Sequence, residues 1–268
     1  LIILACFFIL LAVFVLSPVF PYVRSLAVMS LYSPYCAKNS IMERQDFKLS
    51  IPSGDGWYPF VMTYEADEAF SSYIGIPDTK LTILYNFPAF SLKNGCSRLF
   101  DETSPYYSSF YGAYLVQRAD GEPYGFTADI SEPDEDDISQ IAKYDIFNLV
   151  LRDFGLTADR QVFENTSVAE EKEVSFLGYE GWTRVSSDLT VNGASHEKMG
   201  FVSSYLQYGS PSFPVYSDFA PVKMKSIVYA KYFPEWGASV YFYVMSPSEE
   251  VCERCVRTIL SKSTIERK

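Results

Sequence analysis

The first 23 residues carry no charged side chain, and this feature constrains the chain more than any other. The run from Leu1 to Val23 is built mainly from Leu, Ile, Val, Phe and Ala, and the first charge is Arg24. A helix needs roughly 20 such residues to cross a bilayer core of about 30 Å. We therefore expect residues 1–23 to form a transmembrane signal-anchor helix that tethers the rest of the chain to a membrane.

Two other interpretations of this run stay open. It can be a secretory signal peptide, because Ser25-Leu26-Ala27 offers small residues at the positions where such peptides are cleaved. It can also be a buried core helix, although an uncharged run of this length exceeds ordinary core segments. The apolar run continues past Pro18 and Pro21, which favours the anchor over the cleaved peptide.

The charge of the chain excludes one class of partner. There are 33 acidic against 22 basic side chains, a net charge of -11. A domain this acidic is repelled by phosphate backbones and by anionic lipid headgroups, so we expect no nucleic-acid partner and contact with the membrane through the N-terminal helix alone. Hydrophobic residues make up 48% of the chain, which is enough for a packed core and excludes a disordered chain.

The pattern after the anchor predicts an α+β fold, with a mainly antiparallel sheet and a few amphipathic helices on one face. Alternating apolar runs and turn signals predict three hairpins, which pair 46–51 with 57–65, 110–117 with 124–130, and 227–233 with 239–245. Apolar residues at helical spacing predict one helix over 138–154. A second helix is predicted at the C-terminal end, where Ser246 to Glu249 forms a capping box with proline at the first helical position.

These elements divide the chain into five parts. Residues 1–23 form the anchor helix, 24–44 a juxtamembrane connector, 45–156 a first α+β half, 157–173 a polar linker and 174–268 a second α+β half. Each half ends with an aromatic hairpin followed by an amphipathic helix. This similarity indicates either an internal duplication or simply a common way of covering a sheet.

Three groups of residues are candidates for a site. Aromatic side chains with a flat apolar face suit contact with a sugar or a protein partner; they are Tyr106, Tyr107, Phe110, Tyr111, Tyr114 and Trp236. Acidic residues in one turn could bind Ca²⁺, although they lack the spacing of a calcium-binding loop and also suit a helix start; they are Asp134, Asp136 and Asp137. Four cysteines are candidates for disulfides or buried thiols; they are Cys36, Cys96, Cys252 and Cys255.

The spacing of Cys252 and Cys255 matches a C-x-x-C redox motif. Redox pairs place the first cysteine at a helix N-terminus, whereas here both sulfurs fall on the apolar stripe of the predicted helix, so core packing is favoured. The chain has one histidine, His196, and no nucleophile elbow, phosphate-binding loop or dinucleotide motif. We expect no cofactor.

The sequence therefore predicts a membrane-anchored, extracytoplasmic binding or accessory module without catalytic machinery, with a protein or glycan partner. The alternative is a cell-envelope hydrolase that acts on glycan or peptide through a pair of carboxylates assembled in space.

Overall fold

The computed structural model of the chain describes residues 2–17, 19–20, 23, 41–43, 47–52, 60–65, 79–87, 90–91, 96–97, 102–125, 138–143, 145–151, 156–193 and 219–268. Two α-helices are present in this part, α1 (Ile2–Leu16) and α2 (Glu249–Thr258). The strands are β1 (Ile41–Glu43), β2 (Phe47–Ser50), β3 (Phe60–Glu65), β4 (Thr79–Phe87), β5 (Phe90–Ser91), β6 (Cys96–Ser97), β7 (Phe110–Arg118), β8 (Phe163–Phe176), β9 (Tyr179–Asn192), β10 (Pro221–Phe233), β11 (Ala238–Ser246) and β12 (Thr264–Arg267).

α1 is a helix of 15 residues with no buried residue. It consists entirely of apolar residues, and large side chains such as Ile3 and Leu16 are each 86% exposed. No helix in the ranges given above combines enough length with enough apolar character to cross a bilayer. The predicted transmembrane span over 1–23 is therefore not shown, and the structure has the shorter helix α1 in its place.

Seven strands form the main sheet in the order β3-β4-β7-β11-β10-β9-β8, and all their pairings are antiparallel. Strands from both predicted halves lie in this one sheet, where β7 and β11 are neighbours. The mixed helix and sheet content and the antiparallel pairing confirm the α+β class. β1, β2 and β12 form a second, three-stranded sheet, and β5 pairs with β6.

The predicted linker over 157–173 contains most of a strand. A short 3₁₀ helix covers Ala158–Arg160, and β8 begins at Phe163 and pairs with β9. β8 is an edge strand, and its residues Glu170, Glu171 and Glu173 are exposed. Because an exposed edge strand tolerates such charges, its sequence resembles a polar linker.

Only one of the three predicted hairpins has the predicted pairing. β10 and β11 are joined by a 3₁₀ turn, Pro234–Trp236, and Gly237 follows in the left-handed conformation with φ 55°. β2 pairs with β1 and with β12 at the other end of the chain, not with β3. β7 pairs with β4 and β11, not with residues 124–130.

The two faces of the main sheet are covered by different parts of the chain. On one face, the α2 face, Arg184 of β9 pairs with Glu253, and the carbonyl of Lys225 accepts from the thiol of Cys252. The other face, called the π-helix face, is covered by a π-helix over Asp145–Leu151, and there the hydroxyls of Tyr114 and Tyr243 donate to Asp145. The prediction that the helices share one face is therefore wrong.

The predicted helix over 138–154 is divided into shorter pieces. A 3₁₀ turn covers Ile138–Gln140 and a π-helix covers Asp145–Leu151. The apolar side chains that suggested one helix, such as Ile141 and Ile146, are buried as expected, but tertiary contacts rather than local propensity set the backbone.

The helix at the C-terminal end is α2, and its cap lies two residues later than predicted. Ser248, not Ser246, is the capping residue, and its side chain accepts a hydrogen bond from the backbone N–H of Val251. Ser246 instead ends β11, and its hydroxyl accepts from the N–H of Ser248. After α2 the chain forms a short 3₁₀ turn, Leu260–Lys262, and then β12, which the sequence did not predict.

Much of the core on the α2 face is aromatic. The rings of Phe176 and Tyr229 are stacked with their centroids 4.0 Å apart, and Phe176 meets Trp182 edge to face at 5.2 Å. Phe233 and Phe242 pack against the same tryptophan. The high aromatic content of the sequence is thus used largely for packing.

Candidate functional site

A groove opens on the α2 face, between the first half of α2 and strands β8, β9 and β10. Its volume is about 190 Å³. The polar side chains that line it include Ser167, Ser186, Asp188, Lys225, Glu249 and Glu253. We therefore take the groove as a candidate binding site.

Strand register brings the floor of the groove together. Asp188 and Lys225 are directly opposite each other on β9 and β10, and Ser167 is the register partner of Asp188 on β8. The ammonium group of Lys225 and the hydroxyl of Ser167 both donate to the Asp188 carboxylate, the hydroxyl at 2.7 Å. One carboxylate therefore connects three adjacent strands.

The wall of the groove is the first half of α2. Glu249 and Glu253 are four residues apart, so both lie on the helix side that faces the groove. The Arg184 guanidinium is 3.6 Å from the Glu253 carboxylate and 2.6 Å from that of Glu171 on β8. This arginine ties the helix to the edge of the sheet beside the groove.

The charges of the groove floor are fixed at neutral pH. The hydrogen bonds from Lys225 and Ser167 hold the pKa of Asp188 below its ordinary value. The hydrogen bond to Asp188 raises the pKa of Lys225. Because both groups stay ionised, the groove offers an ion pair and hydroxyls for hydrogen bonding, and neither of these two groups changes its protonation near pH 7.

The thiol of Cys252 lies at the base of the groove but is chemically quiet. Cys252 is fully buried, and its sulfur donates to the carbonyl oxygen of Lys225 at 3.5 Å. Burial, followed by the charges of Glu253 and Glu249, raises its pKa to about 12. The thiolate needed for redox or nucleophilic chemistry is therefore scarce at neutral pH.

The four candidate cysteines are not brought together in the described residues. Cys252 and Cys255 are both buried on α2, and neither is in a disulfide. Cys36 lies outside the described residues, and Cys96 is described only as part of the backbone of β6.

The predicted aromatic residues do not form one exposed surface. Tyr106 is half-buried, and the guanidinium of Arg254 lies 5.1 Å above its ring and donates to its hydroxyl. Tyr107 is also half-buried, and its hydroxyl lies close to Gly193, where an added Cβ would be only 2.6 Å away. The other four are buried in the core; they are Phe110, Tyr111, Tyr114 and Trp236.

The predicted cation site cannot be located in the structure. Asp134, Asp136 and Asp137 lie outside the described residues. Within those ranges, no group of three or more His, Cys, Asp or Glu side chains is arranged to hold a metal ion.

The alternative function, a hydrolase, needs two carboxylates close together, and Asp145 does not form such a pair with Asp188 of the groove. Asp145 has a raised pKa of about 7 because of its burial, but it lies on the π-helix face and is 1% exposed. Asp188 lines the groove on the α2 face and has a lowered pKa. The two carboxylates are on opposite sides of the sheet.

Apart from Cys252, the residues that line the groove were not candidates from the sequence. Ser167, Asp188 and Lys225 share no local motif, and only the pairing of three strands brings them together. No protein-family model matches the chain, and no curated protein or solved structure is significantly similar to it. The function is therefore argued from the geometry alone.

Proposed function

We propose that the chain is a membrane-tethered binding module, in which α1 embeds in lipid and the sheet domain binds a partner through the groove beside α2. The observation that carries this proposal is α1 itself, a helix of 15 apolar residues with no residue buried. A continuous apolar surface of this kind on a folded chain calls for an apolar environment.

α1 alone is shorter than a bilayer core, so the proposal relies on the uncharged residues that follow it in the sequence. Fifteen helical residues extend about 22 Å, less than the roughly 30 Å of a hydrocarbon core. The sequence stays uncharged through Val23, which supports a longer buried segment. The proposal places the sheet domain on the extracytoplasmic side, as expected from the sequence.

Membrane extraction tests the tether. The full chain is expressed, membranes are pelleted and washed with alkaline carbonate, and the pellet is assayed for the protein. We expect the wild type to stay in the pellet, because its helix is held by apolar contact rather than by charge. Release of the wild type into the wash would reject the proposal.

A pair of matched variants isolates α1 in this assay. The variant Leu10→Lys with Phe14→Lys puts two charges on the helix, each of which costs about 3 kcal/mol at the centre of a membrane helix. The control Leu10→Met with Phe14→Leu keeps the apolar character. We expect only the lysine variant to be released. Sidedness is tested separately with sealed, right-side-out vesicles. A protease added outside them should digest the sheet domain.

The groove is tested by filling it. Ser186 lines the groove, so Ser186→Trp should block it, whereas Ser175→Trp places the same side chain at an exposed position of β8 outside the groove lining. We expect chemical crosslinking in native membranes to yield a stoichiometric partner with the wild type and with Ser175→Trp, and much less with Ser186→Trp. Equal recovery with both variants would place the binding surface elsewhere.

A further inference from the structure

A carboxyl group is buried against the π-helix face of the sheet. Asp145, the first residue of the π-helix, is 1% exposed. Its two oxygens accept hydrogen bonds from the hydroxyl of Tyr114 on β7 and from the hydroxyl of Tyr243 on β11. These strands are neighbours in the middle of the sheet, so one side chain joins the π-helix to both.

The surroundings of Asp145 hold no compensating positive charge in the part of the chain that the structure describes. Tyr114 faces it from β7 and Tyr243 from β11, and both are neutral donors. On β4, the register partners of Gly112 and Tyr114 are Tyr85 and Ile83, neither of which is a cation. Lys143, on the same segment as Asp145, bonds to Gln140 at 3.4 Å and lies 6.0 Å from the ring of Phe163 instead.

Burial without a cation favours the protonated form of the carboxyl group. Desolvation raises the pKa of Asp145 to about 7, although the hydrogen bonds from Tyr114 and Tyr243 act in the opposite direction by stabilising the charge. When the segment opens and Asp145 reaches water, its pKa returns to the ordinary value of 3.8. Opening is therefore linked to the loss of a proton between about pH 4 and pH 7.

The segment that Asp145 holds is the cover of this face. Ile138, Ile141 and Phe147 are buried against the sheet from the same stretch of chain, and Asn165 of β8 donates to Ser139 at 2.6 Å. Its backbone is a 3₁₀ turn followed by a π-helix. Hydrogen bonds in 3₁₀ turns have poorer geometry than those in an α-helix, and π-helical turns are rare and often mark functional sites.

We propose that Asp145, Tyr114 and Tyr243 form a pH-sensitive latch, which holds residues 138–143 and 145–151 on the sheet when Asp145 is protonated and favours their release when Asp145 is ionised. The sign follows from linkage. Because the carboxyl holds its proton more tightly in the closed form, stability of the closed form is greatest below about pH 4, falls as the pH rises to about 7, and is constant above it. This device is independent of the membrane tether and of the groove.

Hydrogen exchange of the full chain tests the latch. Amide exchange of residues 145–151 is measured from pH 5 to pH 8.5 in detergent micelles, and each rate is divided by the intrinsic rate for that pH. We expect the resulting opening constant to rise about tenfold per pH unit up to about pH 7 and to level off above it. A wild-type opening constant that does not change with pH would overturn the proposal.

Two variants show whether Asp145 is the responsible group. Asp145→Asn keeps the shape, accepts from one tyrosine hydroxyl through its amide oxygen and donates to the other through its amide nitrogen, but cannot titrate, so its opening constant should not depend on pH. Asp159→Asn removes an exposed carboxylate whose pKa is lowered, so it should behave like the wild type. A pH dependence in Asp145→Asn equal to that of the wild type would assign the effect to another group.

A third variant keeps the test decisive if Asp145→Asn does not fold. Tyr243→Phe removes one donor that stabilises the ionised carboxylate, so the plateau of the opening constant should move to higher pH. An unchanged plateau in Tyr243→Phe would contradict the latch.

Discussion

Two serines are equally buried, but replacing each with alanine is expected to change the stability of the fold in opposite directions. Ser226 on β10 is 1% exposed and its hydroxyl has no hydrogen-bond partner among the described residues. Ser246, at the end of β11, is 0% exposed, and its hydroxyl bonds to Ser109 at 2.6 Å and to the N–H of Ser248 at 3.0 Å. Both lie in strands, so the intrinsic strand preference of serine and alanine largely cancels between them.

The magnitudes follow from what each hydroxyl does. A buried hydroxyl without a partner costs about 1 to 3 kcal/mol, and its removal leaves only the void of one oxygen atom, so Ser226→Ala should stabilise the fold by about 1 kcal/mol. Ser246→Ala removes two hydrogen bonds of about 1 kcal/mol each and leaves the N–H of Ser248 without its acceptor. That variant should be destabilised by about 2 kcal/mol, a difference of about 3 kcal/mol between the two.

Urea unfolding of the full chain in detergent measures this difference. Trp182 and Trp236 are buried and report unfolding by fluorescence. With a slope of about 3 kcal/mol/M, the two midpoints should differ by about 1 M, with Ser226→Ala above the wild type and Ser246→Ala below it. Equal destabilisation of both variants would refute the reasoning, because it would mean that the Ser226 hydroxyl contributes as much bonding as that of Ser246.

Two further predictions concern α2. Ser248→Ala removes the cap of the helix and should lower the free energy of unfolding by about 1 kcal/mol in the same urea assay. The control Ser261→Ala, at an exposed position after the helix, should lower it by much less. Equal effects of the two variants would contradict the capping role of Ser248. Because the pKa of Cys252 is raised to about 12 from an ordinary 9.0, its thiolate fraction is about a thousandfold lower than that of an ordinary thiol. In a variant with Cys6, Cys36 and Cys96 replaced by Ser, a small thiol reagent at pH 8 should therefore react slowly until urea is added, and fast labelling of the folded chain would show that the α2 cysteines are accessible.

Local signals predicted the elements that depend on nearby residues. The β10–β11 hairpin was predictable because Pro234 and Gly237 mark the turn between two strand-like runs. α2 was predictable from its apolar stripe, although the capping box predicted at Ser246 placed its start two residues too early. These features depend on residues close in sequence.

Features that depend on distant pairing were not predictable. β2 pairs with β12, more than 200 residues later in the chain, and no local pattern identifies that partner. β8 carries a charged sequence because its position at the sheet edge leaves much of it exposed, which resembles a linker. Tyr114 donates to Asp145, which also accepts from Tyr243 of β11. No local pattern around Tyr114 identifies these two partners.

The arrangement of the main sheet explains why the two predicted halves do not stand as separate units in the part of the chain that the structure describes. β7 of the first half and β11 of the second are neighbours at the centre of the sheet. The segment that covers the π-helix face comes from the first half, but it is held by Tyr243 of the second. The helix that covers the α2 face comes from the second half, but its Arg254 is bonded to Tyr106 of the first. Each half therefore covers a face that contains strands of the other half. Neither half alone buries both faces of its own strands, so separating the halves would expose apolar surface on each of them.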